Sequence, residues 1–155
     1  MDGHSYFIII ILYMVAVWGG TVAYIIKLVQ LIQNRAARSI TKLGWFTPIK
    51  TLLDQCNWLS VKQLIFYHTA LQVWKVKVSE YPVYIKSKLI PSNTRSSTQG
   101  TLLVPSVEKS TSSKSFIVRS ASTWNHLPQD IRNIQNLGTF KMKLKAWTRE
   151  NISIE

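Results

Sequence analysis

A helix is written into residues 60–82 from its first hydrogen bond to its stop. Ser60-Val61-Lys62-Gln63 has the form of a capping box: the serine hydroxyl serves the amide three residues on, and the glutamine side chain reaches back to the serine amide. Leu59 and Leu64 stand where a hydrophobic staple would hold the entry, so the helix should begin at Val61. Leu64, Tyr67, Leu71, Trp74 and Val78 continue it on one face, and Pro82 ends it by removing a donor and crowding the residue before it.

The same period recurs on both sides. From Val22 to about Lys42 the apolar residues Val22, Ile25, Ile26, Val29, Ile32, Ala36 and Ile40 fall three and four apart, which predicts a long amphipathic helix with one buried stripe. Gly44 ends it. Thr47-Pro48 reads as an N-cap and first helical residue for a short helix to Cys56. Ala121 to Asn133 suggests short helical turns around Pro128, and a final helix opens near Asn136 with Phe140, Leu144 and Trp147 on one face. Between these, Lys86 to Ser115 is rich in Ser, Thr and Asn with Pro91, Gly100 and Pro105 as breakers, which reads as a mobile loop. Leu102–Val104 and Phe116–Arg119 are apolar enough to pair as an antiparallel hairpin.

The expected architecture is therefore mainly α: an amphipathic helical bundle with a small β-hairpin and a long Ser/Thr-rich loop. Its divisions are an apolar segment (1–20), a helical region (21–85), the loop (86–115), and a short strand with C-terminal helices (116–155). The first of these has two readings. Tyr6 to Trp18 is an unbroken apolar and aromatic run, and after Gly19-Gly20-Thr21 apolar character resumes through Ile26. It is either a buried core segment interrupted at the glycines, or a membrane span over residues 6–26 with Lys27, Arg35, Arg38 and Lys42 holding the next segment on the cytoplasmic side. No positive residue precedes the run and no small-residue cleavage pattern follows, which argues against a signal peptide.

Charge narrows the partners. The chain holds 19 Lys and Arg against 7 Asp and Glu, a formal net charge of +12, and such a surface attracts polyanions whatever its fold. On the predicted first helix Lys27, Asn34, Arg35, Arg38 and Lys42 project into a wedge about 100° wide at ~100° per residue. No acid interrupts that face, so it gains none of the i,i+4 ion pairs that usually accompany a solvated charged face. Lys141, Lys143, Lys145 and Arg149 form a second basic strip on the last helix. A single cysteine, Cys56, excludes an intrachain disulfide and suits a reducing, intracellular compartment, either nucleus or cytoplasm.

Catalytic signals are lacking. Two-metal phosphoryl chemistry needs converging carboxylates, and the seven acids here are dispersed. A zinc site needs short ligand spacings, while Cys56, His4, His68 and His126 are far apart. His68 beside Leu64, Ile65 and Leu71 reads as a core or boundary histidine, and Cys56 as a small buried hydrophobe. There is no phosphate-cradling glycine loop and no nucleophile elbow, so neither cofactor nor metal is expected.

Several segments in order carry a resemblance: Tyr13 with Val17-Trp18-Gly19-Gly20, Leu31-Ile32-Gln33-Asn34-Arg35-Ala36-Ala37-Arg38, Asn57-Trp58-Leu59 leading to Tyr67, Pro82-Val83-Tyr84-Ile85, Thr94-Arg95, Ser115-Phe116 with Arg119, Trp124-Asn125-His126-Leu127-Pro128, Ile131-Arg132, and Phe140-Lys141 with Leu144-Lys145. Together they resemble the C-terminal thumb and post-thumb region of the endonuclease–reverse transcriptase of non-LTR (LINE-type) retrotransposons. In that family the polymerising carboxylates lie in a palm domain with a Tyr-x-Asp-Asp motif, which these 155 residues do not contain. Ile9, Ile10 and Leu12 depart from the family, which there commonly carries Pro-His and a polar residue, so residues 1 to about 12 look like a new start to an older fragment.

The resemblance implies a truncated or degenerate piece of a reverse transcriptase, not itself an enzyme, that grips the backbone of an RNA–DNA or DNA template-primer duplex without sequence preference. The arginines of Asn34-Arg35-Ala36-Ala37-Arg38 then either contact phosphate or brace the fold. The expected nucleic-acid contacts are Lys27, Arg35, Arg38, Lys42, Lys141, Lys143, Lys145 and Arg149. The competing expectations are a small single-pass membrane protein with a basic cytoplasmic segment, and a remnant with no activity.

Overall fold

The computed structural model describes Gly20 and residues 23–79, 82–92, 100–106 and 115–154. Seven helices stand among them: α1 (Ala23–Thr41), α2 (Ile49–Gln55), α3 (Val61–Ser79), α4 (Val83–Lys86), α5 (Phe116–His126), α6 (Gln129–Arg132) and α7 (Leu137–Asn151). The expected core-or-membrane segment falls mostly outside the described residues. Among those described, no helix is long and apolar enough to cross a membrane.

α3 is the axis of the bundle. Its capping box forms as the sequence dictates: the Gln63 amide donates to Ser60 Oγ at 3.3 Å, and the Ser60 amide donates to Gln63 Oε1 at 3.0 Å. α1, α5 and α7 all pack on α3, so it is buried on more than one side. Ile65, Val73 and Val76 are enclosed although they lie off the expected stripe, while Val78 in the last turn is 47% exposed.

The main core joins α3, α5 and α7. Trp74 stacks on Phe140 at 5.4 Å between centroids, and Trp124 leans on the same ring at 6.2 Å. Both indole N–H groups are satisfied, Trp74 by the Ile134 carbonyl at 2.7 Å and Trp124 by the Gly100 carbonyl at 2.9 Å. Buried Leu71, Ala121, Leu127, Ile131 and Leu144 fill the space around them. α7 begins where expected, with Asn136 Oδ1 accepting from the Thr139 amide at 3.0 Å, and its Phe140 and Leu144 are fully buried.

Gln63 has a second task. Its Nε2 donates to the Ile152 carbonyl at 2.9 Å and, at 3.5 Å, to that of Thr148, latching the end of α7 to the start of α3. Gln63→Leu is expected to lower unfolding stability by about 1–3 kcal/mol, because it leaves buried polar groups without partners. Urea unfolding should show a lower midpoint at unchanged slope; an unchanged midpoint would mean that the latch carries no stability.

The expected hairpin does not form. Phe116–Arg119 is instead the first turn of α5, capped by Ser115, whose hydroxyl accepts from the Val118 amide at 3.5 Å. Ser120, Ala121 and Trp124 then bury the helix at the three-to-four spacing that a strand cannot provide. Leu102 makes an isolated antiparallel bridge with Pro91, and no sheet exists among the described residues. Its remaining backbone needs are met by one side chain: Asn125 Oδ1 accepts from the Leu102 amide and Asn125 Nδ2 donates to the Leu102 carbonyl, both at 2.7 Å. The described ends of the expected mobile loop are thus docked, with Leu89 and Leu102 in the core.

α1 is turned from its expected face. Gln33, Asn34 and Ala37 are buried, Ile26 and Val29 pack on a small separate core of Val61 and Ile65, and Ile25 and Ile32 are 43% and 51% exposed. The cause is the backbone at the start of α3 that the capping box leaves unserved, the Val61 amide and the Leu59 carbonyl. Gln30 Oε1 accepts from the Val61 amide at 2.8 Å, Gln33 Nε2 donates to the Leu59 carbonyl at 2.8 Å, and Gln30 Nε2 donates to Asn34 Oδ1 at 2.8 Å. Helix-start groups need hydrogen-bond partners more than apolar cover, and the amide row of α1 supplies them. Asn34 consequently leaves the expected basic wedge.

Two boundaries also shift. α1 ends at Thr41, and Lys42 rather than Gly44 takes the left-handed position, with φ 54° and its amide donating to the Arg38 carbonyl at 2.9 Å. α2 starts at Ile49, one residue later than expected, because Pro48 is extended (φ −57°, ψ 140°) and makes no side-chain cap bond.

Candidate nucleic-acid interface

The α1 cations keep a common side after this rotation. At 100° per residue Lys27, Arg35 and Arg38 fall within about 80° of one another and span roughly 16 Å along the helix, while Lys42 follows the last helical residue in a left-handed conformation. Lys27, Arg35 and Lys42 are exposed, and none has an ion-pair partner among the described residues. Arg38 is half-buried: its guanidinium lies 4.9 Å from the centroid of the Trp45 ring, and its Nε is buried without a hydrogen-bond partner among the described residues. Lys50 on α2 is exposed nearby in sequence. Lys27 also borders an apolar cleft with Ile26, Leu31, Ile49, Lys62 and Ile154.

The α7 strip divides. Lys141, Lys145 and Arg149 share one ridge at i, i+4 and i+8, whereas Lys143 projects about 160° away from Lys145. Lys141 and Lys143 are exposed and Lys145 is half-buried. Burial, then the charge of Arg149, lowers the Lys145 pKa below the ordinary lysine value. Arg149 donates through Nη2 to Asn57 Oδ1, and Asn57 is the left-handed residue (φ 55°) that terminates α2. That bond gives Arg149 a bracing role. α1 and α7 each dock on α3, so the two basic strips are carried by separate elements.

No family matches the chain, and neither does any curated protein or solved structure.

Cys56, expected as a buried hydrophobe, is half-buried, as are Tyr67 and His68. Burial, then Lys75, lowers the His68 pKa, and burial raises those of Cys56 and Tyr67. A raised thiol holds little thiolate, which fits an unreactive cysteine. No cluster of three or more His, Cys, Asp or Glu among the described residues is placed to hold a metal ion.

Two groups escaped the sequence reading. Lys77 Nζ lies 4.7 Å from the centroid of the Trp124 ring, and its pKa is lowered by burial and then by Arg132. Arg132 itself is only 8% exposed. The other is the pair Trp45 and Phe46, 72% and 98% exposed on the turn after α1. Their signal was present in the sequence: two aromatics between Gly44 and Thr47-Pro48, flanked by Lys42 and Lys50.

Proposed function

We propose that the chain binds the phosphate backbone of nucleic acid through α1, as the thumb-like part of a LINE-type reverse transcriptase gripping a template-primer duplex. The observation that carries this reading is the exposure of Lys27 and Arg35 on α1 and of Lys42 just after it, free of acidic partners among the described residues, in a chain of net charge +12. An acid-free row of cations along a helix and its C-terminal end meets a regularly charged strand at several points, and phosphate contacts of this kind set position without reading sequence. The role proposed is a grip rather than a reaction.

The test is fluorescence anisotropy of a labelled RNA–DNA primer-template titrated with the full chain across a salt series. With about four phosphates neutralised, affinity should fall with a log–log slope of roughly −3 to −4, with little change between unrelated sequences. Absent binding, or a slope near zero, overturns the reading.

Association with a membrane is a second reading favoured by one observation. Tyr24, Ile25, Leu28, Leu31 and Ile32 are all exposed on the N-terminal half of α1. Release of the chain from membranes by alkaline extraction would remove the inserted form of this alternative.

A further inference from the structure

The turn after α1 presents two aromatic rings that contribute nothing to either core. Thr47 donates its amide to the Gly44 carbonyl at 3.1 Å, closing a four-residue turn with Trp45 and Phe46 at its two central positions. The left-handed Lys42 reverses the chain just before it. Phe46 is 98% exposed and Trp45 72%. Such rings are costly in water and are not explained by packing, since the buried clusters form without them.

Position gives them a use. Arg38, a member of the cationic side of α1, lies against the Trp45 ring, so the turn continues the candidate phosphate-binding row. Lys42 and Lys50, both exposed, flank it in sequence. A basic track that leads into exposed aromatic faces is the arrangement by which proteins hold unpaired nucleic acid: cations follow the backbone while bases stack on rings. A lipid surface would also accept Trp and Arg. The apolar strip of α1, however, lies at its N-terminal half, and Arg35, Arg38 and Lys42 separate it from the aromatic turn.

We propose that Trp45 and Phe46 stack unpaired bases where a single strand leaves the duplex held by α1, so that the preferred ligand is a duplex with a single-stranded overhang. This rests on the phosphate-binding reading, and the test separates the two. Anisotropy titrations of the full chain use three probes: a blunt RNA–DNA duplex, the same duplex with an unpaired overhang, and the overhang made abasic. The proteins are wild type, the double variant Trp45→Ala/Phe46→Ala, and Trp45→Leu/Phe46→Leu, which keeps apolar bulk but removes the π faces. Thermal melting confirms that the variants fold, as expected for such exposed positions.

Wild type should favour the overhang with bases over the other two probes by roughly tenfold or more, the effect of stacking one or two bases. Both double variants should lose that preference, with blunt-duplex affinity changing much less than overhang affinity, since Arg38 keeps its charge when the Trp45 ring is removed. Salt-sensitive blunt-duplex binding with an overhang affinity untouched by the substitutions overturns the stacking proposal and leaves the phosphate reading standing. So does an equal loss on all three probes, or a Leu variant that behaves as wild type. Substitutions that weaken binding to anionic phospholipid vesicles but to none of the oligonucleotides assign the turn to a membrane instead. Failure of wild type to bind the blunt duplex in a salt-dependent way overturns both readings.

Discussion

Trp124→Ala is expected to lower unfolding stability by about 3–5 kcal/mol, the usual effect of emptying a fully buried aromatic site. The indole is 0% exposed, leans on Phe140 and donates to the Gly100 carbonyl. Its loss leaves a cavity where α3, α5 and α7 meet and removes one of the bonds that dock residues 100–106. Lys77 also loses the ring beneath its ammonium group. Domains of this size have total stabilities of about 5–15 kcal/mol, so the variant should melt about 10 °C or more below wild type. A melting temperature within two or three degrees of wild type would show that the three helices are not held together at this residue.

Arg35→Gln/Arg38→Gln should halve the salt dependence of nucleic-acid binding. Each phosphate contact contributes about 0.9 to the log–log slope on duplex, so two lost contacts take a slope near −3.6 to one near −1.8. Between 50 and 200 mM salt, wild type should weaken by about 150-fold and the variant by only about 12-fold. The single variants divide the roles. Arg35 is exposed and should account for one contact alone, whereas Arg38 also lies against Trp45. A slope changed by Arg35→Gln but not by Arg38→Gln would assign Arg38 to bracing; a slope unchanged by the double variant removes α1 from the interface.

What the sequence foretold was local in origin. The box at Ser60 and Gln63 and the cap at Asn136 involve residues three apart, and their hydrogen bonds form whatever surrounds them. The stretch Phe116-Ile117-Val118 misled because its residues suit a strand; the burial of Ser120, Ala121 and Trp124 against α3 decides for a helix. The orientation of α1 was hidden for a related reason. Apolar spacing predicted that its isoleucines turn inward, but the backbone at 59–61 required amides, and that demand comes from a segment 26 to 31 residues away.

The candidate site divides along the same line. Charge and period are enough to find the cations of α1, since an acid-free row is visible in the letters. Nothing local reveals that Arg149 is engaged by Asn57, 92 residues earlier. Nor does local sequence show that Trp45 and Phe46 face outward, because aromatics in a chain with this much apolar material are ordinarily assigned to the interior.

The polar seam of α1 bears on how the molecule holds together. Most of the core lies in α3, α5 and α7, while α1 is attached through Gln30, Gln33 and a cluster of four aliphatic residues at one end of α3. Amide bonds fix register well but contribute only about 1 kcal/mol each, so among the described residues α1 is joined to α3 by a seam that is more polar than the aromatic core. A polyanion bound along α1 would add to that seam as a clasp, since a ligand that binds only the folded state stabilises it.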